Sequence, residues 1–421
     1  MAGMTLVEKI LAKASGRSKV RPGEVVVANV DLLLMHDLSG YLTSRVYEAE
    51  VARPMRYPER VVMVFDHHFS PPTEERAEIL EATRAFARKY GIHLFDCGSG
   101  NIHHAAVQNG FVRPGTVVVG SDSHTPVHGT LGCFAAGLGN NSHAGMVMPF
   151  GKAWFRVPET IAVNLSGRLK PVVTPRDAAL WLTGQIGEGG AVYKALHFRG
   201  PFLEGLSVWD RWLFPLITID VGGKCAYIDP DEKTVEFVRA LTSQPFELYT
   251  TDPDAEYVEE QHYDVSDLEP QVAASPTLGN VGPVSRFAGA PIQWAELGGH
   301  GGGRLEDFRQ AAEILKGRKI APGVKLNLVP SSREVFRQAL REGLVEALYE
   351  AGGTWFPPST GSNQAINMGA MSQYEAMVST HARNFPGRNG SPKAMMYLGS
   401  AYTVAASAVK GAIADPREFL G

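Results

Sequence analysis

Two stretches of this chain share one plan, and the plan is restrictive. "RVVMVFDHH" (60–68) and "GTVVVGSDSHT" (115–125) each run through consecutive apolar residues and stop abruptly in aspartate and histidine. An apolar run without alternation is buried on both faces, the mark of an interior strand in a parallel sheet. Parallel strands need crossovers, and "TEERAEILEATRAFARKYG" (73–91) predicts a helix to make one. Thr73 is its N-cap, Glu74 and Glu75 lie in the first turn, and Gly91 follows the end. Strands alternating with helices predict an α/β fold with parallel sheets, and ligands in such folds bind beyond the carboxyl ends of strands. Both polar clusters fall there.

The chain has 421 residues, enough for two or three domains or one large α/β body. Residues 245–285 are acidic and turn-rich and read as a surface connector. A boundary near 285 then separates residues 1–285 from 286–421. The second part is predicted to hold the strand "VKLNLVP" (324–330) and a helix opened by the capping box Ser331-x-x-Glu334. No apolar run of about 18 residues occurs, and the first twenty residues lack the apolar region of a secretory signal. A formal net charge of −4 argues against non-specific nucleic-acid binding. The three cysteines, Cys97, Cys133 and Cys225, form no CxxC pair. That sparse, odd count fits a reducing cytoplasm without disulfides. The expectation is a cytoplasmic protein with no membrane or nucleic-acid partner.

Three clusters are built alike. They are Asp66-His67-His68, "GSGNIHH" (98–104) with His103 and His104, and Asp122-Ser123-His124-Thr125. Acid–base chemistry near neutral pH needs imidazoles oriented by carboxylates, and Asp-His neighbours supply that. The alternative for any one histidine is a hydrogen-bonded loop residue. "HARNFPGRNG" (381–390) places Arg383 and Arg388 in one Pro/Gly turn, where both can read an anion bidentately. In "LGGHGGGRLEDFRQAAEILKGRK" (297–319), glycines surround His300 just before a helix beginning near Arg304. Glycine lets backbone approach a ligand, and a helix N-terminus attracts anions. No Gly-Lys-Ser/Thr follows, so this is not a phosphate loop.

Together, "DHH", "GSGNIHH", "GSDSHT", "GRLEDFRQAAEILKGRK" and "RNFPGR" resemble the aconitase superfamily, in its order and spacing from about residue 5 to the C-terminus. The resemblance is to the large subunits of 3-isopropylmalate dehydratase and homoaconitase. It implies three α/β/α subdomains, two interleaved in 1–285 and a third in 286–421. It also implies a separate small swivel subunit that closes the site and carries a serine base. The implied reaction is removal and re-addition of water on small hydroxy di- and tricarboxylates, or an isomerisation built from both. Asp66, His67, His103, Asp122, Ser123 and His124 would form the catalytic set. Arg383 and Arg388 would hold substrate carboxylate, with Arg304, Thr360 and Asn363 as further substrate-binding candidates.

The chain departs from the family at the positions that hold or face its cluster. Family members hold a [4Fe–4S] cluster on three cysteines, and on alignment these fall on His300, Thr360 and Asn363. Cluster iron wants thiolate, so no iron–sulfur cluster is expected. A glutamate near the cluster in the family falls on His197. Two histidines at cluster-facing positions suggest a single divalent ion (Fe, Zn or Mn) on His197 and His300, completed by His103, Asp66 or Asn363. A metal-free site using histidine acid–base chemistry, for isomerisation or decarboxylation, remains the alternative, as does a non-catalytic partner chain.

Overall fold

The computed structural model describes residues 3–51 and 53–420. Three principal sheets carry the chain, as expected of an α/β protein. The first is five-stranded and wholly parallel, in the order His93–Phe95, Val61–Val64, Leu32–His36, Val117–Gly120, Phe134–Gly137. Its central strands are buried along their apolar length, and each fully buried Val or Leu there contributes about 1.5–3 kcal/mol. The chain enters at Leu32–His36, winds outward on one side, then restarts at Val117–Gly120 on the other. The switch point therefore lies between those two strands.

The second sheet is parallel and four-stranded: Cys225–Tyr227, Ala195–Arg199, Thr160–Ser166, Glu259–Asp264. The third has seven strands. Its parallel part runs Met395–Leu398, Ala376–Ser379, Trp294–Leu297, Lys325–Leu328, Gly353–Trp355. Here too the order reverses, between Trp294–Leu297 and Ala376–Ser379. A two-stranded antiparallel ribbon, Val25–Asn29 with Lys152–Arg156, completes the framework.

The helix predicted over 73–91 runs Glu74–Tyr90, with the Thr73 side chain accepting from the Arg76 amide and Gly91 left-handed at φ 69°. Three expectations need correction. Residues 245–285 are no mere connector, because Glu259–Asp264 is an edge strand of the second sheet. Gln271–Ala274 and Val281–Pro283 add antiparallel to the third sheet, so that body begins well before 285. Their short runs, between turns, carry too little periodicity to be read locally. The helix Arg333–Arg341 is capped by Ser332 rather than Ser331.

Candidate active site

Four functional segments leave the first sheet or pack directly over it. Leu32–His36 runs without a linker into the helix Asp37–Glu50, so Asp37 sits in a first helical turn, where the backbone dipole favours a carboxylate. Val61–Val64 leads to Asp66, His67 and His68, and Val117–Gly120 leads to Asp122, Ser123 and His124. Asn101 caps the helix Ile102–Gln108, which carries His103 and His104. From the third sheet, Trp294–Leu297 delivers His300 and Ala376–Ser379 delivers the 380–390 turn. The two switch points meet here. His300 lies against His67, His103 and His124, with ring centroids 5.5, 5.5 and 5.1 Å away.

Every carboxylate in the cluster is tied to an imidazole. Asp66 Oδ1 is 2.7 Å from His67 Nδ1, and its Oδ2 accepts from the Ile102 amide at 2.7 Å. Asp122 Oδ1 is 2.9 Å from His103 Nε2 and accepts from the His124 amide at 2.7 Å, while Oδ2 lies 3.8 Å from His300 Nε2. Asp37 Oδ2 accepts from the His68 amide and meets His68 Nδ1, both at 2.6 Å, and Oδ1 accepts from the His67 amide at 3.3 Å. The His36 ring lies over that of His67 at 4.3 Å.

These environments drive the histidines apart. Burial pushes His67 down, but the carboxylates of Asp66, Asp37 and Asp122 more than reverse it and raise it to about 9. Burial holds His300 well below its ordinary value despite Asp122. Burial, then the Arg383 charge, lowers His124. The surroundings thus favour the charged form of His67 and the neutral forms of His300 and His124, the kind of contrast that paired acid–base chemistry uses.

The glycine loop is a packing necessity. Gly299 and Gly303 have φ +85° and +71°, and a Cβ on Gly302 would strike the Gly298 carbonyl and the Thr380 hydroxyl. Arg176, fully buried, donates to the carbonyls of Gly301, Thr380, His381 and Gly399 and so clamps the His300 loop to the arginine turn. Glu296 joins the same parts: it meets His381 Nε2 at 2.7 Å and accepts from the Ser362 amide at 3.0 Å.

Arg383 Nε donates to Asp220 Oδ1 at 2.8 Å. Among the described residues no carboxylate pairs with the Arg388 guanidinium. Burial and the nearby Arg383 charge lower Arg388 to about 10, so an arriving anion relieves repulsion between two cations. Ser123 is partly exposed. Thr360 donates from Oγ1 to the Asp66 carbonyl at 2.9 Å, and Asn363 Nδ2 is buried without a partner.

Two expected site residues lie elsewhere in role or place. Arg304 is spent on structure: its guanidinium holds Asp307 at 2.9 Å, Asp210 at 3.0 Å and the Trp209 carbonyl at 2.9 Å. His197 is not in the cluster. Strand alternation sends Leu196 and Phe198 into one core and Ala195 and His197 to the opposite face. There His197 stacks on Tyr227 at 4.4 Å, bonds the Tyr257 hydroxyl at 2.9 Å, and borders a cavity of about 420 Å³ with Asp229. A metal shared by His197 and His300 is therefore set aside.

His36 and Asp37 join the site without having been singled out in the sequence, although "LLLMHD" (32–37) repeats the plan of apolar strand followed by polar pair. Arg176, Asp220, Glu296 and His381 carry no local signal, because only long-range folding brings them here. Nor do the cysteines approach the cluster as a ligand set. Cys133 and Cys225 are buried in apolar cores. Cys97, half-buried, has its thiol pushed up to about 12, first by burial and then by Asp96. Imidazole, hydroxyl and amide at 300, 360 and 363 do not fit a [4Fe–4S] cluster, which needs thiolates.

Buried imidazole–carboxylate pairs at two facing switch points, with Arg383 and Arg388 alongside, make a candidate acid–base site in an α/β enzyme. The chain belongs to the aconitase family. The family's sequence profile (aconitate hydratase) matches residues 8–291 and 280–411. The chain is 42% identical over 414 residues, covering 98% of itself and 99% of the relative, to a probable 3-isopropylmalate dehydratase large subunit of Methanothermobacter thermautotrophicus. It is 41% identical over 425 residues, all of both chains, to 3-isopropylmalate dehydratase large subunit 1 of Pyrococcus furiosus. A probable methanogen homoaconitase large subunit of M. thermautotrophicus is 39% identical over 426 residues, spanning 100% of this chain and 99% of that one. The crystal structure of Thermococcus kodakaraensis aconitase X (holo-form) shares the fold, with a TM-score of 0.51 at 13% identity over 85% of this chain and 84% of that one. No helix among the described residues is long and apolar enough to cross a membrane.

Proposed function

We propose that this chain is the large subunit of an aconitase-type hydro-lyase that acts on a small hydroxy di- or tricarboxylate without a [4Fe–4S] cluster. One observation carries the proposal. His300, aligned with a cluster cysteine, is ringed by His67, His103 and His124 and faces Asp122. Arg383 and Arg388 bind a substrate carboxylate. His67, held as imidazolium, protonates the departing hydroxyl, and Asp66 and Asp37 keep it charged between turnovers. Loss of the α-proton leaves enediolate charge on the carboxylate, and cationic groups must stabilise it. The arginines and His67 supply that stabilisation, and a single divalent ion held by the site's imidazoles and carboxylates would add Lewis-acid polarisation of the carboxylate. Names of the relatives as large subunits support a small swivel subunit as the partner that supplies the base and covers the cleft. The enzyme works in the cytoplasm.

The test is to co-express the chain with its small subunit and follow the unsaturated acid formed from 3-isopropylmalate and homologous hydroxy-tricarboxylates. Turnover should disappear in His67→Asn, and kcat/KM should fall through a raised KM in Arg388→Ala. Full activity in both variants, or several irons with acid-labile sulfide per chain, would overturn the assignment.

A further inference from the structure

Resting on the cluster-free reading above, we infer that His103, Asp122 and His300 form a mononuclear site for one divalent transition-metal ion. The three residues come from the helix Ile102–Gln108, the end of Val117–Gly120 and the glycine loop after Trp294–Leu297. All are buried, and one ligand atom from each lies within 4.8 Å of the others. Small side-chain rotations close such spacings to the roughly 3.4 Å expected between ligand atoms bound about 2.1 Å from one ion at tetrahedral angles.

Three features favour this set over other combinations. First, His300 Nε2 is buried and has no hydrogen-bond partner, and it points at Asp122 Oδ2 from 3.8 Å. A fully buried orphan nitrogen costs free energy that a bound ion removes. Second, Asp122 Oδ1 is occupied by His103 and the His124 amide, while Oδ2 accepts no hydrogen bond among the described residues. A carboxylate oxygen is thus free on the side of the orphan imidazole. Third, His103 Nδ1 is 3.2 Å from His128 Nε2, an outer contact that fixes the ring, so that Nε2 faces Asp122 and exchanges its 2.9 Å contact with Oδ1 for the ion. Metal-bound histidines are ordinarily anchored this way through the second nitrogen. Two rival sets are poorer: in Asp66, His67 and His300 both Asp66 oxygens are engaged, by His67 and by the Ile102 amide, and His36, His67 and Asp122 leaves the orphan His300 nitrogen unused.

Two imidazoles and one carboxylate suit zinc, iron(II), manganese(II) or cobalt(II) and leave positions open for a substrate hydroxyl and carboxylate. Ser123, next to Asp122 in sequence, and Arg388 are both partly exposed.

The test uses the full chain, stripped with chelator and titrated with Zn²⁺ or Co²⁺ alone. Binding is read by calorimetry, by elemental analysis after desalting, and by the visible d–d spectrum of the cobalt form. We expect one equivalent per chain, affinity reduced roughly 100-fold or more in His300→Ala and Asp122→Asn, and no change in His197→Ala. His300→Gln, closer in volume, serves if the alanine variant loses its circular-dichroism spectrum. No stoichiometric binding, or binding indifferent to His300, overturns the inference. With turnover retained, that result leaves the cluster-free hydro-lyase standing. Several irons with labile sulfide overturn both.

Discussion

His197 separates what alignment suggests from what the fold imposes, and its titration makes the difference measurable. The imidazole is stacked on Tyr227 and bonded to Tyr257, and burial followed by the Arg199 charge lowers it from 6.5 to about 3. A depressed folded value means its contribution to stability is complete above about pH 6.5 and is lost as pH falls toward 3. At about 1.36 kcal/mol per unit, the full span is about 5 kcal/mol, of which about 2 kcal/mol is gone by pH 5. His197→Phe keeps the stack but has nothing to titrate. Denaturant unfolding at pH 8 and pH 5 should show the parent chain losing about 2 kcal/mol more than the variant over that interval. Turnover of the folded variant at pH 8 should stay within about twofold of the parent, since the ring packs on Tyr227 and Tyr257 rather than in the cluster. Parallel stability curves would refute the burial argument. A well-folded variant without activity would return His197 to the catalytic cleft.

Other substitutions divide binding from architecture. Arg388→Ala should raise KM by roughly 10–100-fold with little effect on thermal stability, because no carboxylate among the described residues pairs with that guanidinium; steady-state kinetics decides. Arg304→Ala should instead leave Asp307 and Asp210 without their cation and cost about 3–5 kcal/mol, seen as a lowered thermal midpoint. Asp37→Asn removes an anion that accepts from the His67 and His68 amides; each charge-assisted bond is worth about 1.5–3 kcal/mol, and activity should fall with stability. Gly302→Ala drives a methyl into the Thr380 hydroxyl and the Gly298 carbonyl. It should lower the thermal midpoint and displace His300; an unchanged midpoint would contradict the close packing of that loop.

Much of this protein follows from local pattern. Continuous apolar runs such as Val117–Gly120, short and rich in valine, read as interior parallel strands, and the residues that end them then lie at a carboxyl edge. Asp66, His67, Asp122 and His124 were legible on that ground, as was the helix Glu74–Tyr90, because a cap and a left-handed glycine act within a turn of their own backbone. The same rule reaches His36 and Asp37 once applied to "LLLMHD". Tertiary structure decided the rest. The face a strand residue occupies depends on which neighbours flank the sheet, so His197 and His300 cannot be told apart by residue type; pleat alternation sends one to Tyr257 while a glycine loop carries the other to Asp122. An arginine in a tight turn and an arginine at a helix entrance look alike in sequence, yet Arg388 lacks a carboxylate partner among the described residues and Arg304 is bound by two. Partnership across long chain separations, as when Arg176 grips carbonyls beyond residue 300, arises only when separate sheets pack together. Hydrogen bonding and burial are properties of that packing, and they assign the charge each group carries.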